Sequence, residues 1–189
     1  IFIKMIKIGV PAGFQGMMFS FSNVIIQSAI NSFGAVIIAG NSAALSIEGF
    51  VYIAMNGFAQ GTLTFTSQNY GAKKYDRIKT VAITSEIIVF LIGTILGGIV
   101  ILFSEQILSL YTKSQDALEA GKIRLLVICS VYCLCGMMDV IGNIIRGIGH
   151  SILPMIVTLA GACGLRILWI ATLFQIPKFH STYTIYFSY

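Results

Sequence analysis

The feature that most constrains this 189-residue chain is the recurrence of apolar runs about as long as a bilayer is thick. A helix rises 1.5 Å per residue, so roughly twenty apolar residues cross about 30 Å of hydrocarbon. Runs of that length, separated by short polar breaks, predict five complete spans at about 6–33, 43–68, 79–104, 117–146 and 153–175. A sixth opens near Thr182 and covers 182–189 only in part. Charged residues make up 10% of the chain, against roughly a quarter in soluble domains. Lipid offers backbone groups no hydrogen bonds, so the expected class is an all-α integral membrane bundle, a single transmembrane unit over 1–189. The chain opens on Ile1 and stops at Tyr189 inside an apolar run too short to span, which reads as a fragment of a longer protein.

The placement of charge says more than its total of +5. Lys73, Lys74, Arg77 and Lys79 crowd one short loop, and alternating spans put Lys4, Lys7 and Arg146 on the same side. Cytoplasmic ends carry the excess of Lys and Arg, so that side is cytoplasmic. The opposite side is expected to hold a mixed loop of Glu105, Lys113, Asp116, Glu119, Lys122 and Arg124. With no soluble domain behind it, the basic loop suits topology and contact with anionic membrane lipids rather than nucleic acid. Cys129, Cys133, Cys135 and Cys163 fall inside spans as small packing residues, and His150 and His180 are single, so no metal site is expected. No convergent catalytic set is present, which argues against an enzyme.

Polar residues recur inside the spans with helical spacing. Gly13, Gly16, Ser20, Asn23, Gln27 and Asn31 form one small-and-polar stripe on the first span. Glu48, Tyr52, Asn56, Gln60, Thr64 and Gln68 follow at strict four-residue steps on the second. Each step overshoots a turn by about 40°, so only part of that row can line one cavity. On the fourth span Tyr132, Gly136, Asp139, Asn143 and Arg146 alternate steps of four and three, holding one face toward neighbouring helices. The third span, nearly free of polar residues beyond Glu86, packs by shape or meets lipid. Gly9–Gly13, Gly57–Gly61 and Gly93–Gly97 have the GxxxG spacing that lets helices approach closely, read here as packing within one bundle. Pro11 and Pro154 are placed in the first turns of their spans.

Three stripes that lipid cannot face must bond to one another or line water, and long amides and phenols in this number suit a hydrated solute pathway. Asp139 lies in GMMDVIGNIIRGIGH (136–150), where an acid costs a few kcal/mol unless kept from lipid, and its default reading is functional. The structural alternative is a hydrogen bond to a neighbouring helix or to Arg146, two turns or about 10 Å along the same face. Glu48, with Tyr52 and Asn56 below it, is either a ligand or a solvated acid near the outer end. Glu86 reads as an interfacial acid beside Lys79, Arg166 as an outer-leaflet base that reaches the interface or meets an acid, and Trp169 as an interface anchor.

In order, IKIGVPAGFQGMMFSFSNVIIQSAINSFG, SIEGFVYIAMNGFAQGTLTFTSQNYGAKKYDR and IIRGIGHSILPMI resemble the C-terminal half of a MATE (multidrug and toxic compound extrusion) transporter over essentially the whole chain. The most specific pieces are Gly9-x-Pro11, Gln60, Gln68 to Ala72, and Arg146-Gly147-x-Gly149. The resemblance implies one six-helix lobe of a twelve-helix, two-lobe transporter of the plasma membrane, with an N-terminal lobe outside this sequence. It also implies bacterial-type export of small organic cations in exchange for protons or sodium, by alternating access and without a cofactor. The candidate ligands for solute or ion are Asp139, Glu48, Tyr52, Asn56, Asn23, Gln27, Asn143 and Tyr132. The first span lacks the acid that some family members carry in their seventh helix, and Asp139 matches the tenth-helix acid by role and approximate depth. A related two-lobe family flips lipid-linked precursors; handling a pyrophosphate would require several bases on the stripes, where only Arg146 is expected.

Overall fold

In the computed structural model the described residues are 2–172 and Tyr186, and they form helices throughout, with no strand among them. In order these are α1 (Phe2–Asn31), α2 (Ala35–Gly71), α3 (Tyr75–Leu102), α4 (Ser104–Ser109), α5 (Gln115–Gly147), α6 (Ile152–Thr158), a π-helical stretch Leu159–Leu165, and α7 (Arg166–Ala171). The last three continue as one span, Ile152–Ala171. That span, α2, α3 and α5 are long and apolar enough to cross a membrane. With 30 residues α1 is long enough too, but Gln15, Asn23, Gln27 and Asn31 dilute its apolar character.

Several expectations need correction. Because α1 begins at Phe2, Pro11 lies inside the helix rather than in its first turn, where its ring removes one donor. The second span begins at Ala35, not 43, and at 37 residues is about 55 Å long, more than the hydrocarbon needs. The connection between α3 and α5 contains α4, and the fifth span contains a π-helical stretch; neither leaves a mark in apolar periodicity. Arg124, assigned to the outer loop, lies well inside α5 and is fully buried. The end of the fifth span beyond 172, Pro177 and the sixth span at 182–189 lie outside the described residues, Tyr186 excepted.

Two of the resembling motifs are helix stops. At the end of α5, Gly149 N–H donates to the Arg146 carbonyl at 2.9 Å and His150 N–H to that of Ile145 at 3.1 Å, with Gly149 at φ 97°. This paired closure satisfies orphan carbonyls through a left-handed residue, which glycine adopts without a Cβ penalty. After α2 the same pair of bonds runs from Lys73 to Tyr70 and from Lys74 to Asn69, with Lys73 itself at φ 57°.

The tight centre is α2, α3 and α5. From α2, Ala44, Ile47, Val51, Met55 and Ala59 recur at three- and four-residue steps and pack with Val89, Leu125, Cys129 and Val140. Between transmembrane helices the drive is close packing rather than water exclusion, so small residues mark the contacts. A Cβ on Gly93 would lie 2.8 Å from Cys133 Cα, one on Gly97 2.9 Å from the Cys129 carbonyl oxygen, and one on Gly136 2.6 Å from Val89 Cγ1. By contrast Gly9, Gly13, Gly57 and Gly61 have open space around them, so Gly93–Gly97 is the GxxxG pair that seats one helix on another among the described residues. A second layer sets α1 against α6 and α7, and a second cluster of Ile26, Ile30, Ile170 and Tyr186, with Ile37, Ile123 and Val127 beside it, joins α1 and α7 to α2 and α5.

Candidate functional site

The interface between these layers is polar, and three arginines organise it. Arg124 on α5 is fully buried and donates from Nε and Nη2 to the two carboxylate oxygens of Glu48 on α2, at 2.6 and 2.9 Å. Its Nη1 donates to Asn41 Oδ1 at 2.6 Å; Asn41 Nδ2 donates to Gln27 Oε1 at 3.0 Å, and Gln27 Nε2 to Asn31 Oδ1 at 3.0 Å. The guanidinium also sits 5.6 Å from the Tyr186 ring centroid. Fork-to-fork geometry of this kind is what lets two charges survive burial, because the carboxylate meets two N–H groups at once and Asn41 takes a third.

A second arginine, Arg146, is half-buried near the end of α5. It donates from Nη1 to Asn143 Oδ1 at 2.9 Å and from Nη2 to Gln15 Oε1 on α1 at 2.6 Å. Gln15 Nε2 in turn donates to Thr158 Oγ1 on α6 at 3.0 Å, so one side chain ties α5, α1 and α6. The third, Arg166, is buried at the start of α7, donates from Nη1 to Asn23 Oδ1 on α1 at 2.9 Å, and lies 5.3 Å from the Phe19 ring centroid. The amide stripe of α1 is therefore a ladder: Gln15, Asn23 and Gln27, within about 120° of helix surface, each meet an arginine or its bonded amide.

Asp139 stands apart. Its side chain is half-buried on α5, within electrostatic reach of Arg146 and of Tyr52. Among the described residues no donor bonds to its carboxylate, because Arg146 is turned to Gln15 and Asn143 instead. Tyr52, 43% exposed, accepts a hydrogen bond from Asn56 Nδ2 at 3.0 Å, which leaves its own O–H available. A carboxylate near a phenol O–H that is itself bonded to an amide can hold a cation by charge and orient its polar atoms.

The expected ligands thus divide. Asp139, Tyr52 and Asn56 are not closed by an arginine. Glu48 is neither solvated nor open, since it is 4% exposed and closed by Arg124. Asn23 and Gln27 are occupied by Arg166 and Asn41, Asn143 is buried and accepts from Arg146, and Tyr132 packs against the central core. Arg166 is buried on Asn23 rather than reaching an interface. Glu86 forms no ion pair with Lys79; its carboxylate oxygens are dry and without a partner among the described residues. Gln15 and Asn41 belonged to no stripe, although Gln15 lies eight residues before Asn23 and Asn41 seven before Glu48, spacings that keep each near its neighbour's face. A separate cavity of about 270 Å³ beside α4, lined by Ile101, Ser104, Lys122, Ile123 and Leu126, is distinct from these groups.

Long apolar helices packed around a polar interface define a multi-pass helical membrane bundle. A family model described as MatE matches residues 11–172, and the chain belongs to that family. It is 24% identical to a probable multidrug resistance protein, YoeA, of Bacillus subtilis over 87% of this chain and 36% of that one. To the probable multidrug resistance protein NorM of Thermotoga maritima it is 20% identical, over 82% and 33%. The chain thus spans about a third of the length of the curated relatives it matches. Its fold superposes on an outward-facing multidrug resistance MATE family transporter of the MOP superfamily with a TM-score of 0.85 at 16% identity, covering 98% of this chain and 42% of the other.

Proposed function

We propose that this chain is the C-terminal lobe of a plasma-membrane multidrug exporter, which moves cationic amphipathic compounds outward in exchange for protons or sodium by alternating access. The observation that carries the reading is the Asp139 carboxylate, without a hydrogen-bond donor among the described residues, near an Arg146 that is held by Gln15 and Asn143. A solute cation and a coupling ion compete for that one charge, so binding of one displaces the other; Tyr52 and Asn56 supply the polar rim. Multidrug resistance in the names of the relatives supports the same substrate class. Export of lipid-linked pyrophosphates is less well supported, since Arg124 and Arg166 are buried and engaged.

The test is efflux of a fluorescent organic cation from cells making the complete gene product that contains this chain, wild type beside Asp139→Asn, with proton and sodium gradients collapsed separately. Loss of efflux at equal expression, together with dependence on one gradient, supports the site and names the ion. Efflux that survives the substitution removes Asp139 from it.

A further inference from the structure

We infer that Arg146 is a built-in competitor for the Asp139 carboxylate, an internal cation that takes the place of the solute when the solute leaves. The inference rests on the exporter reading and adds the device by which the site empties. Seven residues separate the two groups, which puts them about 10.5 Å apart along α5 and within about 20° around its axis. Helical side chains lean toward the N-terminal end of their helix, so the long Arg146 side chain points along the face that carries Asp139. The two charges already lie within electrostatic reach of each other.

In the observed arrangement Arg146 is parked. Two neutral amides hold it, Gln15 at 2.6 Å and Asn143 at 2.9 Å, while its Nε is dry and without a partner among the described residues. A guanidinium held by neutral acceptors and a carboxylate with no partner, on one face of one helix, make two arrangements of similar standing. With Arg146 on Gln15 the acid is open to an external cation. With Arg146 swung to Asp139 the acid is filled and the external cation expelled.

The swing has a mechanical consequence. Gln15 is the middle of the bonds from Arg146 to Thr158, the chain that joins α5, α1 and α6. When Arg146 leaves Gln15 that chain opens, so emptying the site and loosening α1 and α6 from α5 are one event. Arg146 is a positioning residue in this scheme, acting through Asp139 rather than on the solute.

Equilibrium binding of tetraphenylphosphonium to the purified complete gene product tests the idea, because the two ends of the swing predict opposite signs. Arg146→Gln removes the competitor and raises affinity about tenfold or more, with slower net efflux. Gln15→Leu removes the parking place, drives Arg146 onto Asp139 and lowers affinity several-fold. Asp139→Asn combined with Arg146→Gln loses the gain. Since Gln15→Leu leaves Arg146 in place, it gives the sign even where Arg146→Gln fails to fold. Unchanged or weaker binding in Arg146→Gln, or both single variants moving the same way, overturns the competitor while wild-type binding that requires Asp139 keeps the exporter reading. Wild-type protein that ignores the probe, or binds it independently of Asp139, overturns both.

Discussion

Replacing Glu48 with Ala is the sharpest test of whether this acid is structure or site. The substitution leaves Arg124 fully buried with its Nε and Nη2 donors unmatched, since both had pointed at the lost carboxylate at 2.6 and 2.9 Å. Removing one partner of a buried pair costs about 3–5 kcal/mol, because the remaining charge is uncompensated. Roughly 2–4 °C accompanies each kcal/mol for a cooperative unit of about 150–250 residues and less for a longer protein, so the melting temperature falls by several degrees. The assay is thermal unfolding of the detergent-solubilised complete gene product, followed by the monodisperse fraction on size exclusion. Glu48→Leu with Arg124→Met, which removes both charges and keeps the volume, recovers most of the loss, because apolar replacement of an ion pair is often neutral. A melting temperature within about 2 °C of wild type for Glu48→Ala would refute the reasoning, and would return Glu48 to the list of solute ligands.

Three further outcomes follow from the packing and the bonds. Gly93→Leu and Gly97→Leu force α3 away from Cys133 and Cys129 and destabilise by about 1–3 kcal/mol, whereas Gly57→Ala and Gly61→Ala, which have no neighbour within 4 Å of the added Cβ, do not lower the melting temperature. Asn23→Leu removes one acceptor of Arg166 and costs about 1.5–3 kcal/mol, the range for a bond to a charged group, read in the same melts. Gly149→Ala places a Cβ at φ 97° and costs about 1 kcal/mol or more, against little effect for Gly9→Ala, where no neighbour lies within 4 Å.

The sequence by itself determined the solvent and, through it, the architecture. Hydrocarbon forces every backbone group into a helix, so runs of about twenty apolar residues translate directly into spans, and α3 and α5 lie within a few residues of where periodicity puts them. The same logic marked Asp139 as anomalous and the α1 amides as a face that lipid cannot meet. What it could not decide is which polar group meets which. Arg124 looked like a loop residue because hydropathy cannot distinguish a charge at a helix end from one matched by a distant acid; Glu48, 76 positions away, is what makes its burial tolerable. Glu48 looked like a ligand for the same reason in reverse. The glycine pairs were equally ambiguous, since open and closed GxxxG faces read alike until Cys129 and Cys133 are seen against Gly93 and Gly97. Helix periodicity is a local property written into consecutive residues, whereas the pairing of charges between helices depends on long-range contacts that only the folded bundle brings together. That pairing assigns Arg146 to Gln15 and leaves Asp139 without a hydrogen-bond donor among the described residues.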